Sequence, residues 1–270
     1  MVDKLLKKIK AFSSDQYSNE NRLKARMQLY RFALNKESWR SWLFRKLDFH
    51  ETTKILEIGC GNGVLWEENI KKIPQNVHIT LTDLSAGMVN TCREKFGGDP
   101  RFEFMVLDAG KLFPFRDQSM DMVLASHMLY HVKNKARAFS EISRVLTPGG
   151  RGYATTASTR TLQELDAAAS GYNPQLTTGM GAFVESFSLE NGARQLKKYF
   201  KIVGKAVYKN TVIVPDTEPL IVYLASCYNS RQLDILLNNK GEFRRYLVGL
   251  MSAEGTFKTT SIAGLFKFGN

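Results

Sequence analysis

The sequence has little of what secreted, metal-built or membrane-spanning proteins carry. There are three cysteines, Cys60, Cys92 and Cys227, scattered without metal-ligand spacing. An odd count with no secretion signal fits a reducing cytoplasm. No apolar run reaches the roughly 20 residues needed to span a bilayer. The stretch Met1 to Phe12 carries Lys4, Lys7, Lys8 and Lys10 but no long apolar centre and no cleavage site, so it does not read as a signal peptide. No internal repeat or low-complexity tract appears. What remains is a 270-residue chain, 43% hydrophobic, able to build one substantial core with additions.

Charge is plentiful but uneven. Residues 1–50 hold 12 Lys/Arg against 5 Asp/Glu, residues 51–150 hold 12 against 12, and residues 151–270 hold 14 against 9. A neutral centre with basic flanks draws either nucleic acid or acidic small molecules, or is simply a solvated lysine-rich face.

The organising stretch is Ile55 to Gly63. Ile55, Leu56 and Ile58 form the apolar run of a strand buried on both faces. Gly59, Gly61 and Gly63 follow at every second position, where a missing Cβ permits a tight turn and a close ligand. Val64 to Lys72 reads as the next helix, which completes a nucleotide-binding corner. Two known versions of that corner are absent. A dinucleotide fingerprint wants a glycine where Val64 stands, and a P-loop wants a Gly-Lys-Ser/Thr ending. Glu57, two residues before the first glycine, would repel a pyrophosphate and suits a cationic ligand.

The rest of the chain alternates. Strands are expected at Val77 to Leu81, Phe102 to Val106, Met122 to Ala125, Gly152 to Thr156, Ile202 to Val214 and Thr256 to Phe268. Helices between them include the segment capped by Ser85 and the run Ala136 to Leu146, stopped by Pro148, Gly149 and Gly150. This spacing means a parallel, doubly wound α/β sheet, with ligands at the carboxyl ends of its strands. Gly59, Asp83, Asp108 and Ser126 fall at such ends. Beyond the core, helices are expected at Thr161 to Ala169, Ser188 to Phe200, Glu218 to Ser226, Arg231 to Asn238 and Phe243 to Ala253, with a loop from Ser170 to Gly181. Before it, residues 1–50 read as amphipathic helices with Trp39, Trp42 and Leu43 on apolar faces.

Five segments occur in register: Glu-Ile-Gly-Cys-Gly-Asn-Gly, Thr-Asp-Leu-Ser-Ala-Gly-Met, Asp-Ala-Gly-Lys-Leu-Phe-Pro-Phe, Met-Leu-Tyr-His-Val and Arg-Val-Leu-Thr-Pro-Gly-Gly. Together they resemble the class I S-adenosylmethionine (SAM) methyltransferases of the ubiquinone/menaquinone-methyltransferase type. The resemblance is tight over about residues 50–156 and loose elsewhere. It implies a Rossmann-like seven-stranded sheet of order 3-2-1-4-5-7-6 with strand 7 antiparallel. It also implies a helical lid at 1–50, a methyltransferase domain at 51–270 and a helical cap insertion at about 157–200.

The resemblance implies site roles as well. Glu57 with Gly59, Cys60, Gly61 and Gly63 would hold the methionine part of SAM, whose product is S-adenosylhomocysteine. Asp83 would hold the ribose hydroxyls, Leu84 and Met88 would flank the adenine, and Asp108 with Ala109 would meet its amino edge. Ser126 would lie beneath the methionyl part. Tyr17, in the loop before the core, would close over the cofactor, with a surface tyrosine as the plainer alternative. Asp83 as a plain helix-start acid and Asp108 as a turn former are the plainer alternatives.

Methyl transfer asks a protein to align a nucleophile, exclude water and, for a protonated nucleophile, supply a base. His127 is the candidate base, since histidine titrates at about 6.5. Shaping the pocket is its plainer role. His131, four residues on, is expected to share one helix face with it, either as a second site residue or as packing. No third ligand accompanies them, so no metal site is expected.

The expected acceptor is a small molecule offering an oxygen, nitrogen or carbon nucleophile, of aromatic or polyketide-like kind. The alternatives are RNA or protein, drawn by the basic flanks, and a non-catalytic SAM-binding protein. Strand four ends in Ser-His-Met-Leu, not in the Asn/Asp-Pro-Pro-aromatic motif of base amino-group enzymes. No Pro-Cys follows it for cytosine chemistry. Acceptor identity and oligomeric state are not encoded in any motif.

Overall fold

The computed structural model describes residues 20–49 and 54–269. The amphipathic stretch 1–12 and Tyr17 lie outside the described residues.

Seven strands form one sheet of order β3-β2-β1-β4-β5-β7-β6. They are β1 Lys54–Ile58, β2 His78–Asp83, β3 Phe102–Val106, β4 Met120–Ser126, β5 Leu146–Ala157, β6 Ile202–Val214 and β7 Phe257–Gly269. β1 runs parallel to β2 and β4, which places Glu57 opposite Leu81 on one side and Leu124 on the other. A strand paired on both edges and covered on both faces must be apolar throughout. Ile55, Leu56 and Ile58 are accordingly buried. β7 is antiparallel to β5, with Gly152 opposite Phe268. Only glycine fits there, because a Cβ on Gly152 would stand 2.0 Å from the Phe268 ring. The strand order and the antiparallel β7 agree with the expected fold.

The chain divides into two compact units. The larger comprises Glu37–Thr159, Gly181–Tyr208 and the residues from 263 on. Its core packs Ile55, Ile79, Leu81, Phe102, Met122 and Leu124 of the sheet with Trp66 and Phe96 of its cover. The Phe96 and Phe102 rings stack at 4.7 Å. The smaller unit comprises residues up to 36, Arg160–Met180 and Lys209–Ile262. Its core includes Leu29, Leu165, Val212, Leu224, Tyr228 and Phe243.

These divisions do not follow the expected boundaries at 50 and at 157–200. Helix Trp39–Lys46 belongs to the larger unit, where Trp42, Leu43 and Phe44 join the core around Trp66. The region 157–200 is itself shared, with Arg160–Met180 in one unit and Gly181 onward in the other. Two aromatic side chains and a leucine on one short helix carry enough apolar area to require a core position.

One expected helix is much shorter than Ser188 to Phe200. The observed helix is Gly192–Leu196, with Asn191 at its N-cap position. The Asn191 side chain donates to the Glu185 carbonyl and accepts from Ser188 N–H, so residues 188–191 form a turn instead of a first helical turn. The expected loop at Ser170 to Gly181 contains a short turn of 3-10 helix, Pro174–Leu176. Among the described residues, no helix is long and apolar enough to cross a membrane.

Candidate functional site

The site is built where β1, β2, β3 and β4 end, within the larger unit. After Ile58 the chain turns through Gly59, Gly61 and Gly63, with φ of +72°, +56° and +73°. L-residues other than glycine pay for such values, so this local sequence is matched to its turn. The three glycines differ in surroundings. A Cβ on Gly59 would lie 2.8 Å from Met128 Cβ, and one on Gly63 would lie 2.6 Å from the Phe96 ring. A Cβ on Gly61 would meet nothing within 4 Å. The loop is thus packed at both ends and open in the middle.

The open middle is tied to the next strand. Gly61 N–H donates to Asp83 Oδ2 at 2.9 Å, and Ser85 N–H donates to Asp83 Oδ1 at 2.9 Å. Cys60 N–H donates to the Thr82 carbonyl, and Thr82 Oγ1 donates to the Glu57 carbonyl. The Asp83 carbonyl in turn accepts from Leu107 N–H at 3.0 Å, which brings the end of β3 alongside. Asp108 Oδ1 accepts from Gly110 N–H at 2.8 Å, and Lys111 Nζ lies 3.7 Å from its Oδ2. Asp108 therefore forms its own turn. Ser85 caps helix Ala86–Phe96 by accepting from Met88 N–H. Ala109 is buried and Met88 half-buried, yet Leu84 is 69% exposed and Val106 is 53% exposed. Two bare aliphatic side chains flank the two aspartates.

Glu57 is 2% exposed and its Oε2 accepts from Trp66 Nε1 at 2.6 Å. Burial raises its pKa to about 8, against the Trp66 hydrogen bond, and the Asp83 charge adds to the rise. Cys60 Sγ lies 3.7 Å from Cys92 Sγ, and both thiols are free. That contact, then burial, pushes the Cys60 thiol up.

β4 ends in a second cluster. Ser126 Oγ lies 3.3 Å from Thr155 Oγ1. His127 N–H donates to Thr155 Oγ1 at 3.0 Å and to the Thr155 carbonyl at 3.2 Å. Those bonds hold His127 at φ +51°, a left-handed conformation uncommon outside glycine. Its ring meets Trp39 edge-on at 5.2 Å. Burial lowers its pKa to about 4, so the imidazole is neutral at pH 7.

His127 and His131 do not share a helix face. The segment between them is a single 3-10 turn, Leu129–His131, and His127 stands before it in its left-handed conformation. The Tyr130 ring neighbours both, 6.5 Å from His127 and 4.6 Å from His131. His131 is exposed and packs edge-on against Phe183 at 4.8 Å. Among the described residues, no group of three His, Cys, Asp or Glu side chains is placed to hold a metal.

Sequence reasoning missed Trp66, Thr155, Tyr130, Phe183 and the role of Trp39. Trp66, Thr155, Phe183 and Trp39 join the site by contacts nine or more residues apart in sequence, whereas Tyr130 sits between the two histidines. Trp39 left a signal as an aromatic needing burial, and Tyr130 lay within the Met-Leu-Tyr-His-Val segment.

Residues 56–154 match the Methyltransf_11 family, described as a methyltransferase domain. A malonyl-[acyl-carrier protein] O-methyltransferase of Ilyobacter polytropus is 31% identical over 45% of this chain and 44% of its own length. A ubiquinone/menaquinone biosynthesis C-methyltransferase of Campylobacter jejuni is 38% identical over 36% of this chain and 41% of its own. The chain spans less than half the length of these two relatives. In fold, it resembles phosphoethanolamine N-methyltransferase 2 of Haemonchus contortus, solved with SAM. The TM-score is 0.56 at 17% identity, over 97% of this chain and 60% of that one.

Proposed function

We propose, from the premise that residues 56–154 are a class I SAM-dependent methyltransferase domain, that this chain transfers a methyl group from SAM to a small-molecule acceptor by in-line displacement. The observation that carries the reading is the Gly61–Asp83 junction: a backbone left open on one side and a carboxylate aimed by two amide donors. The residues present fit the donor. Asp83 offers a held carboxylate to paired hydroxyls, and Leu84 and Val106 offer exposed aliphatic surface to a flat base. Gly59, Cys60, Gly61 and Gly63 offer backbone at close range, with Ser126 across from them on β4.

When bound, SAM supplies an already activated methyl group. The protein's own work is alignment and exclusion of water. Glu57, held by Trp66, stabilises a cationic group once ionised. His127, neutral and fixed by Thr155, accepts a hydrogen bond from the acceptor's O–H or N–H and takes its proton. A pKa near 4 makes it a weak base, so it serves an acidic nucleophile best. Trp39, Tyr130 and Phe183 supply aromatic surface around the two histidines, which favours an apolar or planar acceptor over a polynucleotide. Asp108 and Ala109 meet the adenine edge, and His131 packs the wall. Three free thiols suit a cytoplasmic setting.

The test is calorimetry with SAM and S-adenosylhomocysteine, followed by labelled SAM with fractionated extract, with and without RNase. Donor binding with label in a small molecule supports the proposal. Label lost only on RNase treatment moves the acceptor to RNA, and absence of donor binding ends the reading.

A further inference from the structure

In the smaller unit, helix Glu20–Leu29 packs against helix Thr217–Cys227. Ala25 and Leu29 are buried on its inner face. Arg22, three and seven residues before them, occupies the same face and is only 3% exposed. A guanidinium in that position needs all its donors met, because burial removes the water that would otherwise satisfy them.

Only part of it is satisfied. Arg22 Nη1 donates to the Tyr228 carbonyl at 3.0 Å and to the Ser226 carbonyl at 3.5 Å. Those carbonyls stand at the end of helix Thr217–Cys227, where the last C=O groups have no intrahelical donor. Nη1 therefore has a structural task. Nε and Nη2 are buried too, and neither has a hydrogen-bond partner among the described residues. These two nitrogens share one edge of the guanidinium. Their N–H bonds run side by side and match the spacing of two oxygens on one carboxylate or phosphate.

We propose that the Nε/Nη2 edge of Arg22 is the binding site for a small oxyanion, a carboxylate or phosphate group, in the helical unit. The proposal is independent of the methyl-transfer reading. The anchored Nη1 fixes the direction of the unpartnered edge, so its two donors are preorganised. Local charge also calls for an anion. Burial, then the neighbouring Arg26 charge, holds the Arg22 guanidinium below its usual range. Cys227 also acts on Arg22, but burial pushes that thiol up, so it stays neutral and supplies no counter-charge.

The experiment titrates the full chain with sodium phosphate and, separately, with sodium acetate, against sodium chloride at matched ionic strength. Thermal unfolding and calorimetry are the readouts. A saturable rise in melting temperature above the chloride control is expected, and whichever probe gives it identifies the anion's chemistry. Arg22→Lys keeps the charge but offers no parallel pair, so it should weaken binding by about tenfold or more, equivalent to about 1.4 kcal/mol. SAM affinity should be the same in both proteins. Should Arg22→Lys fail to fold, the Arg22 Nε–H resonance of the wild-type protein must shift on titration. A wild-type response no greater than chloride gives would overturn the proposal. So would equal anion affinity in Arg22→Lys, or an unmoved Nε–H signal.

Discussion

Gly61 and Asp83 are joined by a 2.9 Å hydrogen bond from a loop amide to Oδ2, across 22 positions of sequence. The bond fixes the carboxylate against the open part of the glycine loop, and Ser85 N–H fixes its other oxygen. Asp83→Asn should keep the fold and lose SAM affinity by the worth of a charge-assisted hydrogen bond, about 1.5–3 kcal/mol. Calorimetry measures it. Unchanged affinity would remove Asp83 from the donor site.

The three glycines make separable predictions. Gly59→Ala combines the left-handed penalty with a Cβ 2.8 Å from Met128, so it should cost more stability than Gly61→Ala. Gly61→Ala adds a methyl to open space at φ +56° and should cost about 1–2 kcal/mol of stability, the left-handed penalty alone. It should nonetheless weaken SAM binding by more than that. Melting temperature and donor affinity, measured together, decide which face of the loop meets the ligand.

Glu57 predicts a pH effect of definite sign. Burial raises its folded pKa to about 8, above the unfolded value near 4.3. Between those values the folded chain holds the extra proton. Stability from this group therefore falls as pH rises through that window, by at most about 1.4 kcal/mol per unit. Glu57→Gln keeps an acceptor for Trp66 and should flatten the dependence. A melting curve equally steep from pH 5 to pH 8 in both proteins would assign the effect elsewhere.

His127 predicts the opposite. Its pKa near 4 means that no activity limb at about 6.5 belongs to it. Its folded pKa lies below the unfolded one, so its stabilising share is present above about 6.5 and is lost as pH falls towards 4. His127→Ala should lower turnover and spare SAM affinity. A kcat/KM profile with an inflection near 6.5 that vanishes in His127→Ala would show that the ring is hydrated in the working enzyme.

Trp39→Leu removes the ring packed on His127 and should raise the KM for acceptor with little change in SAM affinity. An acceptor KM equal to that of the wild type would exclude Trp39 from the acceptor wall.

The sheet and the glycine loop were legible because their signals are local. Strands show as apolar runs of set length, and Gly59, Gly61 and Gly63 occupy backbone angles that other residues avoid. Phe102–Val106 and Ile202–Val214 occur with the expected bounds. The helix expected from Ser188 was not legible in the same way, since Asn191 turned its side chain onto Glu185. The pairing of His127 with His131 failed because a spacing of four residues implies one face only if the segment is helical throughout.

The sequence by itself determined the glycine corner: its turn, its acids and the strand ends that carry them. Each follows from neighbours a few residues apart. Only the tertiary structure decided that Trp66 holds Glu57, that Thr155 holds His127 beside Trp39, and that one edge of Arg22 is buried without a partner among the described residues. Those facts depend on burial and on groups far apart along the chain, and no local pattern encodes either.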